Sequence, residues 1–205
     1  MMSSALWSFE VDHTGPATYL ADEVLLRDTV KHGLSPAAIR TALATSYAAH
    51  PLTLELVRPD GRTLYDHSVS VGDMLLFNWL PVFSERAFGL LLAEGCKDEE
   101  FIDCRLRVLG NIPFKVHVPL QSYDVIDFAR SVAMHSIPLD PSIPFHFISA
   151  YLKQGKERLP PCFRVPAPSH PQVLSELFAL DSLRTAWARS GFMGASFRRL
   201  AHSAA

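Results

Sequence analysis

Nine histidines, three cysteines and one acidic run are the groups through which this 205-residue chain could do chemistry. A metal centre carried by one helix or turn brings its ligands in at short fixed spacings such as i and i+4. His13, His32, His50, His67, His117, His135, His146, His170 and His202 never fall at such a spacing. Cys96, Cys104 and Cys162 are odd in number and form no Cys-x-x-Cys, which argues against a disulfide framework and against zinc. Cys104 and His117 could meet across neighbouring strands as a thiolate pair, but Cys104 and Cys162 read more simply as small buried hydrophobes. His117 alternates with Lys115 and is expected on an exposed polar face. His135 and His146 fall in a proline-rich stretch, where they suit a rim as readily as a ligand set. There is no Gly-rich phosphate loop, no His-Glu-x-x-His and no Gly-x-Ser-x-Gly. No catalytic residue, no metal and no cofactor are therefore expected. The densest charge is Asp98-Glu99-Glu100, with Asp103 on the strand that follows. Its plainest reading is a solvated loop and one exposed strand position.

The elements that would position these groups include a repeat. One copy runs from Leu80 through Ser84 and a helical stretch to Gly95, then resumes as a strand at Phe101. The other runs from Leu177 through Asp181 to Gly191, then resumes at Phe197. Ser84 and Asp181 are residue types that cap a helix start, and Gly95 and Gly191 suit the left-handed position just past its end. Each copy is predicted to be strand, helix, strand. Leu183 and Trp187, spaced by four, mark the buried face of the second helix, and Trp7 and Trp79 are also expected in the core.

Before the first repeat, residues 4–11 alternate as a strand. Residues 21–32 suggest a short helix, and Ser35-Pro36 starts another that ends near His50-Pro51. Leu52, Leu54 and Leu56 alternate, Pro59-Asp60-Gly61 turns and residues 63–65 return, which predicts a hairpin. Between the repeats, residues 114–118 and 123–128 are predicted strands, and residues 134–159 an irregular, proline-rich connection with one short element. The expected division is an amino-terminal part, 1–72, packed on a main domain, 73–205. The expected class is α+β with mainly antiparallel sheets, because strands and helices mix without βαβ regularity.

Several of these blocks resemble a known family. Cys162-Phe-Arg-Val165, followed by the second repeat with Gly191-Phe-Met-Gly194 and Phe197, is similar to the closing pattern of a large bacterial family of immunity proteins. These neutralise polymorphic toxins, including effectors of type VI secretion. Asp73-Met-Leu-Leu-Phe77, Pro81-Val-Phe-Ser-Glu-Arg86 and Tyr123-Asp-Val-Ile-Asp127 with Ser131 resemble its middle blocks. The resemblance spans residues 73–200. It implies a non-enzymatic protein that binds a cognate toxin as a stoichiometric complex. In that setting Asp98, Glu99, Glu100 and Asp103 form an acidic edge that steers a basic toxin. Phe145, Phe147 and Tyr151, aromatic residues in a proline-rich segment that is hard to bury, are the expected anchors.

Composition narrows the partners. A hydrophobic content of 48% with 20% charged residues is that of a globule with a real core. A net charge of −2 disfavours nucleic acid, whose binding needs a clustered positive field. Lys153, Lys156 and Arg158 are interrupted by Gly155 and Glu157 and suggest a solvated loop. No apolar run is long enough to span a membrane, and the start lacks the basic and apolar segments of a secretory signal. The expected location is the cytoplasm, with a homodimer left open. The alternatives are a small enzyme or ligand-binding domain with an unrecognised site, and a structural adaptor of a secretion or phage system.

Overall fold

The computed structural model describes residues 5–12, 19–21, 40–41, 52–57, 71–77, 80–106, 112–134, 145–153, 159–168 and 170–200. Its strands are β1 (Leu6–Val11), β2 (Tyr19–Ala21), β3 (Leu52–Val57), β4 (Met74–Phe77), β5 (Leu80–Ser84), β6 (Phe101–Leu106) and β7 (Ile112–His117). They continue as β8 (Val132–Met134), β9 (His146–Ser149), β10 (Cys162–Phe163), β11 (Pro166–Ala167), β12 (His170–Leu174), β13 (Phe178–Leu180) and β14 (Ala195–Arg199). Two helices are described over their full length, α1 (Glu85–Glu94) and α2 (Asp181–Ser190). The class is α+β with mostly antiparallel sheets, as the sequence predicts.

The repeat folds twice into the same unit. β5 and β6 both pair antiparallel with β7, and β13 and β14 both pair antiparallel with β1. In each unit the strands before and after the helix run parallel to one another with a third strand between them. The helix stops agree with the sequence: Gly95 and Gly191 take positive φ, 110° and 65°, which a side chain with a Cβ resists. The starts do not match as expected. Ser84 caps α1 by accepting the Ala87 N–H at 3.3 Å, whereas the cap of α2 is Leu180, and Asp181 is already helical. The Asp181 carboxylate instead accepts from Trp7 Nε1 and Arg184 Nε, both at 3.0 Å. With Ser84 set against Leu180, one offset holds throughout (180 − 84 = 96): Ala87 with Leu183, Leu91 with Trp187, Gly95 with Gly191 and Phe101 with Phe197.

These units build three layers of core. β2-β3-β6-β7-β5-β4 closes into a barrel, filled by alternate residues such as Leu75, Phe77, Val82, Cys104, Phe114 and Val116. The opposite faces of the same strands are also covered. Phe83, together with Ala87 and Leu91 of α1, packs on Phe9, Leu183 and Trp187 from the second unit. Phe9 stacks on Phe197 at 4.7 Å and meets the Trp187 ring edge-on at 5.2 Å. The sheet β10-β13-β1-β14 divides this middle layer from a third, where Leu6, Phe163 and Phe178 pack with Phe145 and Phe147. Each fully buried Phe removes enough apolar surface to stabilise the fold by about 2–3 kcal/mol.

Residues on both sides of position 72 share these sheets. β1 is flanked by β13 and β14, and β3 runs parallel beside β6. Arg40 and Thr41 are helical; the rest of the predicted 35–50 helix, the 21–32 helix, the return arm of the hairpin and Trp79 lie outside the described residues. Residues 123–128 are not the predicted strand. Only an isolated bridge, Ile126 to Leu152, forms there, because Asp127 turns the chain: its carbonyl accepts from the Ser131 hydroxyl at 2.7 Å and its carboxylate from the Ala129 N–H at 3.1 Å.

Candidate functional site

Two buried carboxylates organise the polar chemistry. The first is Asp73, at the junction of the two repeat units. It accepts from the Ser84 hydroxyl at 2.7 Å, from Arg86 Nε and Nη2 at 2.6 Å each, and from the Met193 N–H at 3.0 Å. Arg86 also lies over the Phe192 ring, 5.0 Å from its centroid. Burial pushes the Asp73 carboxyl up, but the Arg86, Met193 and Ser84 donors outweigh it and hold the group below its ordinary value. Beside it the backbones nearly touch. Gly194 has φ 88°, and a Cβ there would stand 2.5 Å from the Met74 carbonyl oxygen. Three blocks distant in sequence, Asp73-Met, Ser84-Glu-Arg86 and Gly191-x-x-Gly194, thus converge on one ion pair and one close backbone crossing. A cavity of about 440 Å³ beside the pair is lined by Gly72, Asp73, Arg86 and Phe114 among others. The chemistry of this place is structural, since the carboxylate is fully engaged by its donors.

The second carboxylate is Glu176, in the link between β12 and β13. Its Oε1 accepts the Phe147 N–H at 2.8 Å. Its Oε2 accepts from the Ser8 hydroxyl at 2.7 Å and from Arg198 Nη2 at 3.0 Å, and lies 2.9 Å from His146 Nδ1. Glu10 joins the group through Ser8 at 2.5 Å and Arg198 at 3.0 Å. The alternation of β1 and β14 explains the meeting. Leu6, Ser8 and Glu10 point to the third core layer, and Arg198 stands directly across from Ser8 in the sheet. Burial pushes Glu176 up, but His146, the Phe147 N–H and Ser8 together hold it low. The same bond to Glu176 raises His146 against the opposing effect of burial. Short-range spacing could not reveal this cluster, because its members come from β1, β9, the β12–β13 link and β14. The only sequence signal is the polar alternation of Ser8 and Glu10 opposite Arg198.

The residues singled out from sequence scatter. Asp98 and Glu99 are exposed, but Glu100 is buried. The 3-10 turn Asp98–Glu100 tucks its last residue inward, where the Glu100 carbonyl accepts the Val118 N–H at 2.7 Å. Asp103 is exposed and ion-paired to Lys115 across β6 and β7. Phe145 and Phe147 are not surface anchors: both are buried in the third layer, with rings 5.3 Å apart. Glu176 draws this segment inward, accepting the Phe147 N–H on its carboxylate and donating its backbone N–H to the Phe145 carbonyl. Tyr151 is half-buried, with Arg130 4.8 Å from its ring centroid. Trp187 is core as expected, while Trp7 is half-buried under Arg184 at 4.6 Å.

His117 overturns its expected exposure. It lies between Phe83 and Phe101 with neither ring nitrogen hydrogen-bonded, because the outer face of β7 is covered by the middle layer. Burial, with Arg164 and Arg40 nearby, pushes it down to about 3. Cys104 and His117 do not pair: Cys104 faces the barrel interior opposite Phe114, and burial raises its thiol. Cys162 instead approaches Cys96, with the sulfurs 3.4 Å apart. Lys153 pairs with Asp124 at 2.7 Å, and Lys156 and Arg158 lie outside the described residues.

The described surface has one apolar concentration. In the β8–β9 ribbon, Val132, Met134 and Ile148 are 51%, 55% and 58% exposed, while Ala133 and Phe147 face the core. Among the described residues no helix is long and apolar enough to cross a membrane. Comparison with known proteins finds no family model that matches this chain and no curated protein that matches it.

Proposed function

We propose that the chain is an immunity protein that binds a cognate secreted toxin in the cytoplasm and neutralises it by forming a stoichiometric complex, without catalysis. The observation that carries this reading is the β8–β9 ribbon. Its inner face is held by Phe147 and Ala133, so Val132, Met134 and Ile148 present apolar surface from a fixed support. Protein interfaces bury apolar surface of this kind. Two features support the reading. Asp73 and Glu176 are saturated by internal donors, which suits a scaffold better than a catalytic centre. Asp98 and Glu99 leave negative charge on the surface, which accelerates encounter with a basic partner. The motif resemblance supports it as well, since three of its blocks meet around Asp73.

Co-expression with the toxin encoded beside it should rescue growth, and the purified pair should co-elute at a fixed ratio. The double substitution Met134→Asp, Ile148→Asp should abolish co-elution while the melting temperature of the chain stays near the parental one. Protection at levels far below the toxin's would overturn the reading in favour of an enzyme that reverses the damage.

A further inference from the structure

The Glu176 cluster contains more ligand chemistry than an ion pair requires. One imidazole nitrogen from His146 and one carboxylate oxygen each from Glu10 and Glu176 all lie within 4.8 Å of one another. Tetrahedral ligand atoms about 2.1 Å from a shared ion stand about 3.4 Å apart, so closure needs each atom to move inward by about 1 Å or less. The ligands are also oriented from behind. The Phe147 N–H fixes Glu176 Oε1 at 2.8 Å, which leaves Oε2 turned toward His146 Nδ1. Such outer-shell hydrogen bonds are what orient carboxylates in metal centres. The Ser8 hydroxyl, 2.7 Å from Glu176 Oε2 and 2.5 Å from Glu10 Oε1, adds a third oxygen and a fourth ligand atom.

A positive charge already bridges the two carboxylates: Arg198 Nη2 reaches Glu10 Oε1 and Glu176 Oε2 at 3.0 Å each. Its side chain is 42% exposed on β14, and its Nη1 donates to the Phe147 carbonyl at 2.8 Å, a bond that the exchange would also release. We propose that Glu10, His146 and Glu176 form a binding site for a divalent transition-metal ion, taken up in exchange for the Arg198 guanidinium. Two carboxylates and a neutral imidazole balance the charge of such an ion. The mixed nitrogen and oxygen set suits zinc or manganese rather than calcium or magnesium, which favour all-oxygen shells. The ion would join β1, β9 and the β12–β13 link at one point, beneath the Met134 end of the ribbon, since Met134 pairs with His146. The proposal stands apart from the toxin-binding reading and can succeed or fail without it.

Calorimetric titration of the full chain, stripped with chelator and dialysed, against zinc chloride and then manganese chloride tests the site. One zinc should bind per chain, at least tenfold more weakly in Glu10→Gln and in His146→Gln. Arg198→Ala, which removes the competing cation, should bind at least threefold more tightly than the parent. A purely structural ion-pair cluster would show none of this order. Nitrogen-15 spectra of the parent offer a readout independent of variant folding: zinc should shift the imidazole resonance that is missing from His146→Gln. Equal affinity across the three variants, or zinc that shifts other histidines only, would overturn the proposal.

Discussion

His117 is a titratable group held where its charge cannot form. With its pKa pushed down to about 3, the folded chain leaves it neutral between that value and the ordinary imidazole pKa of about 6.5, whereas the unfolded chain protonates it. The unfolded state binds the extra proton across that window, so stability rises with pH there and is lost on acidification. Each pH unit inside the window removes about 1.4 kcal/mol. Urea unfolding of the parent should therefore weaken between pH 6 and pH 4 by more than that of His117→Leu, and equal slopes would refute the burial of the imidazole. Asp73 and Gly194 make a second prediction at this scale. Asp73→Ala leaves the Met193 N–H and the Ser84 hydroxyl without their acceptor, while the exposed Arg86 turns to water, and should cost about 1–3 kcal/mol. Gly194→Ala drives a Cβ into the Met74 carbonyl at positive φ and should cost about 1–3 kcal/mol. Thermal melts of the two variants check both. These residues differ in how far the sequence showed them. Gly95 and Gly191 announced themselves by their place after a helix, whereas nothing local marked the positive φ of Gly194. His117 was read as exposed because alternation shows that two faces exist, and cannot show that both faces of β7 are covered.

Helix and strand boundaries in the repeat were legible because each is set by residues a few positions apart: Ser84 with Ala87, Gly95 with Leu91 and Leu92. Asp181 misled for a physical reason, since its carboxylate is drawn away by the Trp7 indole and Arg184, contacts across the fold that no local pattern contains. The pairing of Phe101 with Phe197 followed from spacing alone, yet their surroundings differ. Phe197 stacks on Phe9, whereas Phe101 meets Phe88 edge-on at 4.9 Å. Both are partly buried, so Phe101→Ala and Phe197→Ala should cost about 3 kcal/mol, the low end for a core ring. Phe9→Ala, fully buried at the centre of the middle layer, should cost about 4–5 kcal/mol. Melting that ranks Phe9→Ala as the mildest of the three would refute this layering. Phe147, read from its proline-rich surroundings as an anchor, belongs with Phe9. Its truncation should lower the melting temperature, because the ring touches Phe128, Phe145 and Phe178.

At the scale of the whole molecule the two split units are joined through the chain's first described strand. β1 supplies the middle strand of the second unit, and its two faces feed different layers: Phe9 and Val11 the middle one, Leu6 the third. Ser8 and Glu10 on the same strand hold the Glu176 and Arg198 charges. An extension packed on a finished domain could be removed at small cost, whereas a central strand cannot. Without β1, β13 and β14 lose their shared antiparallel partner and the third layer loses its connection to α2. Deleting residues 1–12 should therefore abolish the cooperative thermal transition and leave a chain that binds a hydrophobic dye, as expanded states with exposed apolar surface do. The parent should melt in one transition, because the same strand serves both layers. A truncated chain that still melts cooperatively near the parental temperature would mean that the second unit closes without β1, and that the registers from Trp7–Arg199 to Val11–Ala195 do not hold the molecule together.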